Sequence, residues 1–206
     1  MPANPTDLPT GGGDLPPGGG VPLPPPPPTP PCRTIIIVVA VIVFLITLLF
    51  PRFLPPEPVT TILLIRHAEK VDNSAGSLLT GAGTARANEL VHVARQAGIQ
   101  KIYATEFVRT QLTVQPLATA LGLPVDTTFP AQNVPGLVGD ILANHRGQTV
   151  LVAHHSNGIP DIVQRLGGLP VPPIDDATEF DRLHVIHHHS REVKVTLLRY
   201  FAPLPP

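Results

Sequence analysis

The chain has 206 residues, enough for one domain of ordinary size with appendages. Its 14 basic and 15 acidic side chains leave a formal net charge of −1, which excludes wrapping of nucleic acid by bulk electrostatics. A single cysteine, Cys32, excludes an internal disulfide framework and a zinc site built on cysteines.

The 28 prolines are unevenly spread, and their distribution divides the chain. Of the first 31 residues, 19 are Pro or Gly. Such a stretch has too little apolar surface to offset the entropy of ordering it, so residues 1–33 read as a disordered tail. The run Pro24–Pro28 favours polyproline II, and the glycine triplets act as joints. A plain spacer and a ligand for a proline-recognition domain are the two roles open to residues 1–31. Residues 35–50, IIIVVAVIVFLITLLF, carry no charge. Extended to residues 34–54, the segment would span about 31 Å as a helix, enough to cross a hydrocarbon core. The expectation is one uncleaved transmembrane helix. A cleaved signal is disfavoured because the run lies far from Met1, follows a non-basic stretch and precedes no small-residue cleavage site. Arg33 and Arg52 flank it symmetrically, so loop charge barely orients it. The simplest topology puts the C-terminal domain on the extracytoplasmic side. Residues 55–58 then form a proline-rich stalk. Cys32, beside the run, reads as a free thiol, with acylation as the other possibility.

From residue 59 the composition is ordinary, and strand-like and helix-like segments alternate. Val59–Ile65 is a continuous apolar strand. Thr80 can cap a helix running to about Ala97, with Gly98 as its stop. Lys101–Thr105 is a short strand, and Phe107–Leu121 a helix ended by Gly122. Val125–Phe129 reads as a strand, Val138–Asn144 as a helix, and Thr149–Ala153 as a buried strand. A helix follows from about Gly158 to Leu166. Leu183–His187 and Glu192–Tyr200 could pair as an edge hairpin. The fold class expected for 59–206 is a three-layer α/β/α domain. Its central sheet is mostly parallel, with an antiparallel hairpin at one edge.

Polar residues at the carboxyl ends of buried parallel strands lie where open α/β sheets bind ligands. Three such ends stand out: Arg66-His67, Arg109 in the first turn after another strand, and His154-His155-Ser156-Asn157. Two arginines suit a tetrahedral oxyanion, phosphate above all. A neutral imidazole is a competent nucleophile near neutral pH, and a second can donate to the transferring group. The residues therefore point to phosphoryl transfer through a phosphohistidine, without a metal.

The segment Leu64-Ile65-Arg66-His67-Ala68-Glu69-Lys70 resembles the Arg-His-Gly signature of the histidine phosphatase (phosphoglycerate mutase-like) superfamily. Thr105 to Thr113 resembles its second arginine motif, and Val150 to Asn157 its strand leading into Gly-His-Ser-Asn. The order and spacing match over roughly 59–200. The resemblance implies His67 as the phosphorylated nucleophile. It implies Arg66 and Arg109 as ligands of the phosphoryl oxygens, and His155 as the second pocket histidine. His154 stands where the family often has glycine, so its ring either crowds the pocket or turns away. Many members carry a glutamate acid between the second and third motifs. Residues 116–148 hold only Asp126 and Asp140, so Glu106 is the candidate general acid, with Glu69 next. A phosphatase is favoured over a mutase, because no long segment stands ready to enclose a substrate. Phosphorylated proteins or phosphohistidine would suit so open a site.

Other readings belong to other classes. A membrane-tethered module could bind a phosphorylated ligand without turnover. A zinc hydrolase could use His154, His155 and the late histidines, but His184 and His187–His189 come with no carboxylate or cysteine set, and no metal is expected. Asp175, Asp176, Glu179 and Asp181 read as a solvated loop.

Overall fold

The computed structural model describes residues 24–25, 32–49, 57–190 and 192–201. The chain separates into two units, Met1–Leu54 and Pro55–Pro206. In the first, the apolar run forms α1 (Cys32–Leu49). Eighteen residues make a helix of about 27 Å, shorter than the expected 34–54 segment. Among the described residues, no helix is long and apolar enough to cross a membrane. The described helix stops before Pro51, and the remainder of the expected span lies outside the described residues. Most of the tail and Pro55-Pro56 of the stalk lie outside them too.

The second unit is a mixed six-stranded sheet between two helical layers. In chain order it contains β1 (Thr60–Arg66), α2 (Gly81–Ala94), β2 (Ile99–Ala104), α3 (Val108–Leu121) and β3 (Val125–Asp126). It continues with α4 (Val134–Asn144), β4 (Thr149–His154), α5 (Gly158–Arg165), β5 (Arg182–His188) and β6 (Val193–Arg199). The strand order is β3-β2-β4-β1-β5-β6. The pairs β2–β3, β2–β4 and β1–β4 are parallel. The pairs β1–β5 and β5–β6 are antiparallel, so β5 is an inner strand and only β6 forms that edge.

The alternation of side chains along a strand splits the core in two. Ile62, Leu64, Val150 and Val152 pack with Val138, Ile141, Ile159 and Ile162 of α4 and α5. Leu63, Ile65, Leu151 and Ala153 pack with Leu90 of α2 and Val114 and Leu117 of α3. Because both faces are covered, β1 and β4 read as unbroken apolar runs. The sheet thereby brings the carboxyl ends of β1, β2 and β4 side by side, with Arg66 in register with His154.

Local signals set most boundaries. The Thr80 hydroxyl caps α2 at the Gly83 amide, and α3 ends on Gly122 in the left-handed region (φ +68°). Two expectations shift. Helix α4 starts four residues early, because Asn133 caps it and Pro135 fits its first turn. Strand β3 keeps only two residues, because the Asp126 carboxylate accepts the Thr128 amide and turns the chain.

Candidate active site

The three strand ends open onto one cleft of about 450 Å³. His67, Lys70, Phe107, Arg109, Gln132, His155, Ser156, Asn157 and Asp176 are among its lining.

His67 follows β1 and is 1% exposed. Its amide donates to the His154 carbonyl at 2.9 Å, which extends the β1–β4 ladder by one bond. The next amide, of Ala68, donates to the Thr113 hydroxyl at 2.8 Å, and that hydroxyl donates to the Arg109 carbonyl at 2.7 Å. The loop bearing His67 is thereby fixed to β4 and α3. The His67 Nδ1 lies 2.8 Å from the Ala68 carbonyl. A carbonyl only accepts, so Nδ1 carries the proton and Nε2 keeps its lone pair. Burial pushes the His67 pKa down to about 4, opposed by the Ala68 bond and aided by the charges of Arg66, Arg109 and Lys70. The ring is neutral at physiological pH, as a nucleophile must be.

His155 follows β4, with its ring centroid 5.3 Å from that of His67. Its Nε2 is 3.0 Å from the Thr105 hydroxyl, and its Nδ1 is 3.4 Å from an Arg109 Nη. Burial, with His154, His67 and Arg109 adding to it, pushes its pKa down to about 3. Phe107 packs edge-on against this ring at 4.9 Å and under the Arg109 guanidinium at 4.3 Å.

The two arginines differ. Arg109 lines the cleft, and one terminal nitrogen donates to the Ser74 carbonyl at 3.0 Å. Arg66 is fully buried. Its terminal nitrogens donate to the carbonyls of Asp175, Asp176 and Glu179 and to the Asp176 carboxylate, at 2.6–3.1 Å. Its guanidinium also stacks 4.0 Å from the Phe180 ring. Both arginines keep a buried Nε–H without an acceptor in the protein. An oxyanion in the cleft is the kind of group that satisfies such donors.

His154 turns away from the cleft. Its ring lies against the first turn of α5, where a Cβ on Gly158 would come within 2.2 Å of it. Glycine at 158 makes room for the imidazole. Glu106 does not line the cleft; its carboxylate accepts the Ala131 amide at 2.8 Å. Glu69 is also committed, since it pairs with the buried Arg86 at 2.6 Å. Arg86 in turn donates to the carbonyls of Tyr200 and Phe201. Burial raises the Glu69 pKa, but the bonds from Arg86 outweigh it and the net shift is downward.

The 175–181 segment corrects the expectation of a solvated loop. Glu179 pairs with Arg182 and Arg199, and Asp181 with Arg199. Anchored this way, the segment presents Asp176 to the cleft, where its carboxylate meets Arg66 at 2.6 Å, Ser156 at 2.8 Å and Lys70 at 3.8 Å. Asp176 and Lys70 are cleft residues that sequence reasoning missed. Lys70 ends the first motif and offered a signal; Asp176, well past the third, offered none. Among the described residues, no group of three or more His, Cys, Asp or Glu could hold a metal ion.

Residues 62–129 match the family model of the histidine phosphatase superfamily (branch 1). Over that stretch the chain is similar to this superfamily. No curated protein sequence matches the chain. Solved structures of similar fold include the alpha-ribazole phosphatase of Shigella flexneri, at 16% identity and a TM-score of 0.55, covering 68% of this chain and 96% of that one. A mycobacterial glucosyl-3-phosphoglycerate phosphatase in complex with inorganic phosphate is 15% identical, with a TM-score of 0.53 and coverage of 69% and 97%. A protein of Agrobacterium tumefaciens that carries the name phosphohistidine phosphatase SixA is 18% identical, with a TM-score of 0.51 and coverage of 70% and 98%. At these identities the likeness is one of fold.

Proposed function

We propose that the domain is a phosphatase that hydrolyses phosphomonoesters or related phosphoryl compounds through a phosphohistidine on His67, without a metal. The observation that carries this reading is the state of His67. It is a neutral ring with its Nδ1 proton held by a carbonyl and its Nε2 lone pair free, in a cleft shared with Arg109, Lys70 and His155. The phosphoryl group would be held by Arg109 and Lys70, attacked by Nε2 of His67, and released from it by water. The phosphatase names of the fold neighbours agree with this class of reaction. The test is hydrolysis of an aryl phosphate by the full chain in excess chelator. Turnover should persist with chelator and vanish in His67→Ala; loss with chelator, or survival of the variant, contradicts the mechanism.

A phospho-ligand binding module is the second reading. Two observations favour it: Arg66 is occupied by the 175–179 segment, and Glu106 stands outside the cleft. Tight binding of a phosphorylated ligand with no phosphate release over long incubation would establish it.

We also propose that α1 seats the domain at a bilayer, with the domain extracytoplasmic. Its aliphatic and aromatic side chains from Ile35 to Leu48 are 48–63% exposed, an apolar surface that lipid would cover. Co-sedimentation of the full chain with neutral-lipid vesicles, lost in an Ile42→Lys variant, is the expected result.

A further inference from the structure

The place of the proton on His67 depends on one peptide plane. His67 Nδ1 donates to the Ala68 carbonyl, which belongs to the peptide between Ala68 and Glu69. The two flanking peptides are tied to the rest of the fold. The Ala68 amide donates to the Thr113 hydroxyl at 2.8 Å, and the Glu69 carbonyl accepts the Thr80 amide at 2.9 Å. The Ala68–Glu69 peptide has no such tie. Among the described residues its carbonyl meets only the His67 ring, and its amide bonds to Glu69's own carboxylate. Burial disfavours that carboxylate as an ion, and hydrogen bonds from Arg86 and from the Glu69 amide restore it. The peptide is trans and planar, with N–H and C=O on opposite sides, so holding the amide aims the carbonyl.

The Glu69 carboxylate is itself held in place. Arg86, 2% exposed, grips it through Nε at 3.0 and 3.2 Å and one Nη at 2.6 Å. The other Nη donates to the Tyr200 and Phe201 carbonyls at 3.1 and 2.9 Å, which anchors the grip to the end of β6. We propose that Arg86 is a positioning residue for the nucleophile. By holding Glu69 it fixes the Ala68–Glu69 peptide, so that the Ala68 carbonyl keeps the proton on His67 Nδ1 and leaves the Nε2 lone pair for phosphorus. The inference rests on the phosphatase reading, in which Nε2 attacks. A neutral ring released from that carbonyl shares its proton between two nitrogens, and the Nε2–H form has no lone pair to offer at that atom. Arg86 does not line the cleft, so it acts on attack and leaves the grip on phosphate to Arg109 and Lys70.

The test is Arg86→Lys in the full chain. Lysine keeps the charge but lacks the planar fork that holds Glu69 and two carbonyls together. With an aryl phosphate, kcat should fall about tenfold while KM changes less than about twofold. Nitrogen-15 spectra, with the His67 signal assigned by its loss in His67→Gln, should place the proton on Nδ1 in the wild type. In Arg86→Lys the signal should move toward Nε2–H. A merely structural role would lower the urea midpoint and leave this signal where it is. Glu69→Gln leaves Arg86 bonded to Tyr200 and Phe201, and it reads the same two quantities where Arg86→Lys fails to fold. Its expected loss in kcat is about three- to tenfold. A rise in KM at constant kcat, or a His67 signal unmoved from wild type, overturns the inference. In the wild type the Glu69 amide should resist hydrogen exchange. Exchange at the rate of an open amide overturns the inference whatever the variants do. These outcomes are separable from failure of the catalytic reading. A tautomer that shifts in a chain without turnover leaves the positioning role standing, and turnover with an unmoved tautomer removes it alone.

Discussion

Arg66 and Arg109 lie in successive motifs and carry the same charge, yet the fold uses them differently. Arg66, buried at the carboxyl end of β1, spends its terminal nitrogens on three carbonyls and a carboxylate of the 175–179 segment. Arg109, on the first turn of α3, spends one terminal nitrogen on a single carbonyl and leaves the other facing His155 and the cleft. A motif fixes where an arginine starts, whereas distant chain decides how many of its donors remain for a ligand. Arg66 is a clamp on the loop that presents Asp176, and Arg109 is the guanidinium available to an oxyanion.

The largest separation between the two should appear in kinetics. Arg109→Ala is expected to lower kcat/KM for an aryl phosphate by about 10²–10³-fold with little change in the urea midpoint. Equal losses of activity and stability would break the contrast. Arg66→Ala should lose about 3 kcal/mol of stability, because three carbonyls and a carboxylate lose one fully buried donor group together. Equilibrium urea unfolding measures this, and a midpoint close to wild type would show that the clamp is not needed.

Asp176→Asn sharpens the comparison at its contact point. The carboxylate competes with a ligand anion for Lys70 and adds negative charge to the cleft. Its removal should tighten inhibition by inorganic phosphate by about three- to tenfold. Weaker inhibition would mean that Asp176 serves the ligand instead of opposing it. Glu106→Gln should change least, within about 0.5 kcal/mol in stability and less than about threefold in kcat, because its carboxylate only accepts a loop amide. A loss of kcat above about a hundredfold would restore it as the general acid.

The same burial that neutralises the cleft sets a pH dependence. Burial holds His67 and His154 down to about 4 and His155 to about 3, from an ordinary value of 6.5. Below about pH 6.5 the unfolded chain binds protons that the folded chain refuses, so the unfolded state gains. Stability from these three groups is full above that pH and should fall steadily as the pH drops toward 4. Urea midpoints that stay flat between pH 6.5 and 4.5 would show the rings to be more open than their exposure indicates.

The contrast between the arginines also marks what was legible in the sequence. Strands β1 and β4 were plain as apolar runs because both their faces are buried, and the polar residues after them had to lie at one rim. That reasoning expects Arg66, His67, Arg109 and His155 at the rim; His67, Arg109 and His155 line the cleft, and Arg66 is fully buried. It missed the early start of α4, although Asn133 and Pro135 spelled it, and overran β3, where an aspartate side chain turns the chain. It could not reach Asp176, whose place depends on Arg182 and Arg199 pinning Glu179 and Asp181. Nor could it show that Glu69 belongs to Arg86, since that pair joins the loop after β1 to α2 and to the end of β6. Contacts across the sheet leave no local period or spacing, and only the packed chain reveals them.

The central claim is that His67 Nε2 is the nucleophile. Full chain turning over an aryl phosphate should be quenched in alkali, digested and mapped by mass spectrometry. The account predicts an alkali-stable, acid-labile phosphate on the peptide bearing His67, absent in His67→Ala. Steady turnover with phosphate on another residue, or with none trapped on His67 under a quench that preserves phosphohistidine, would contradict it.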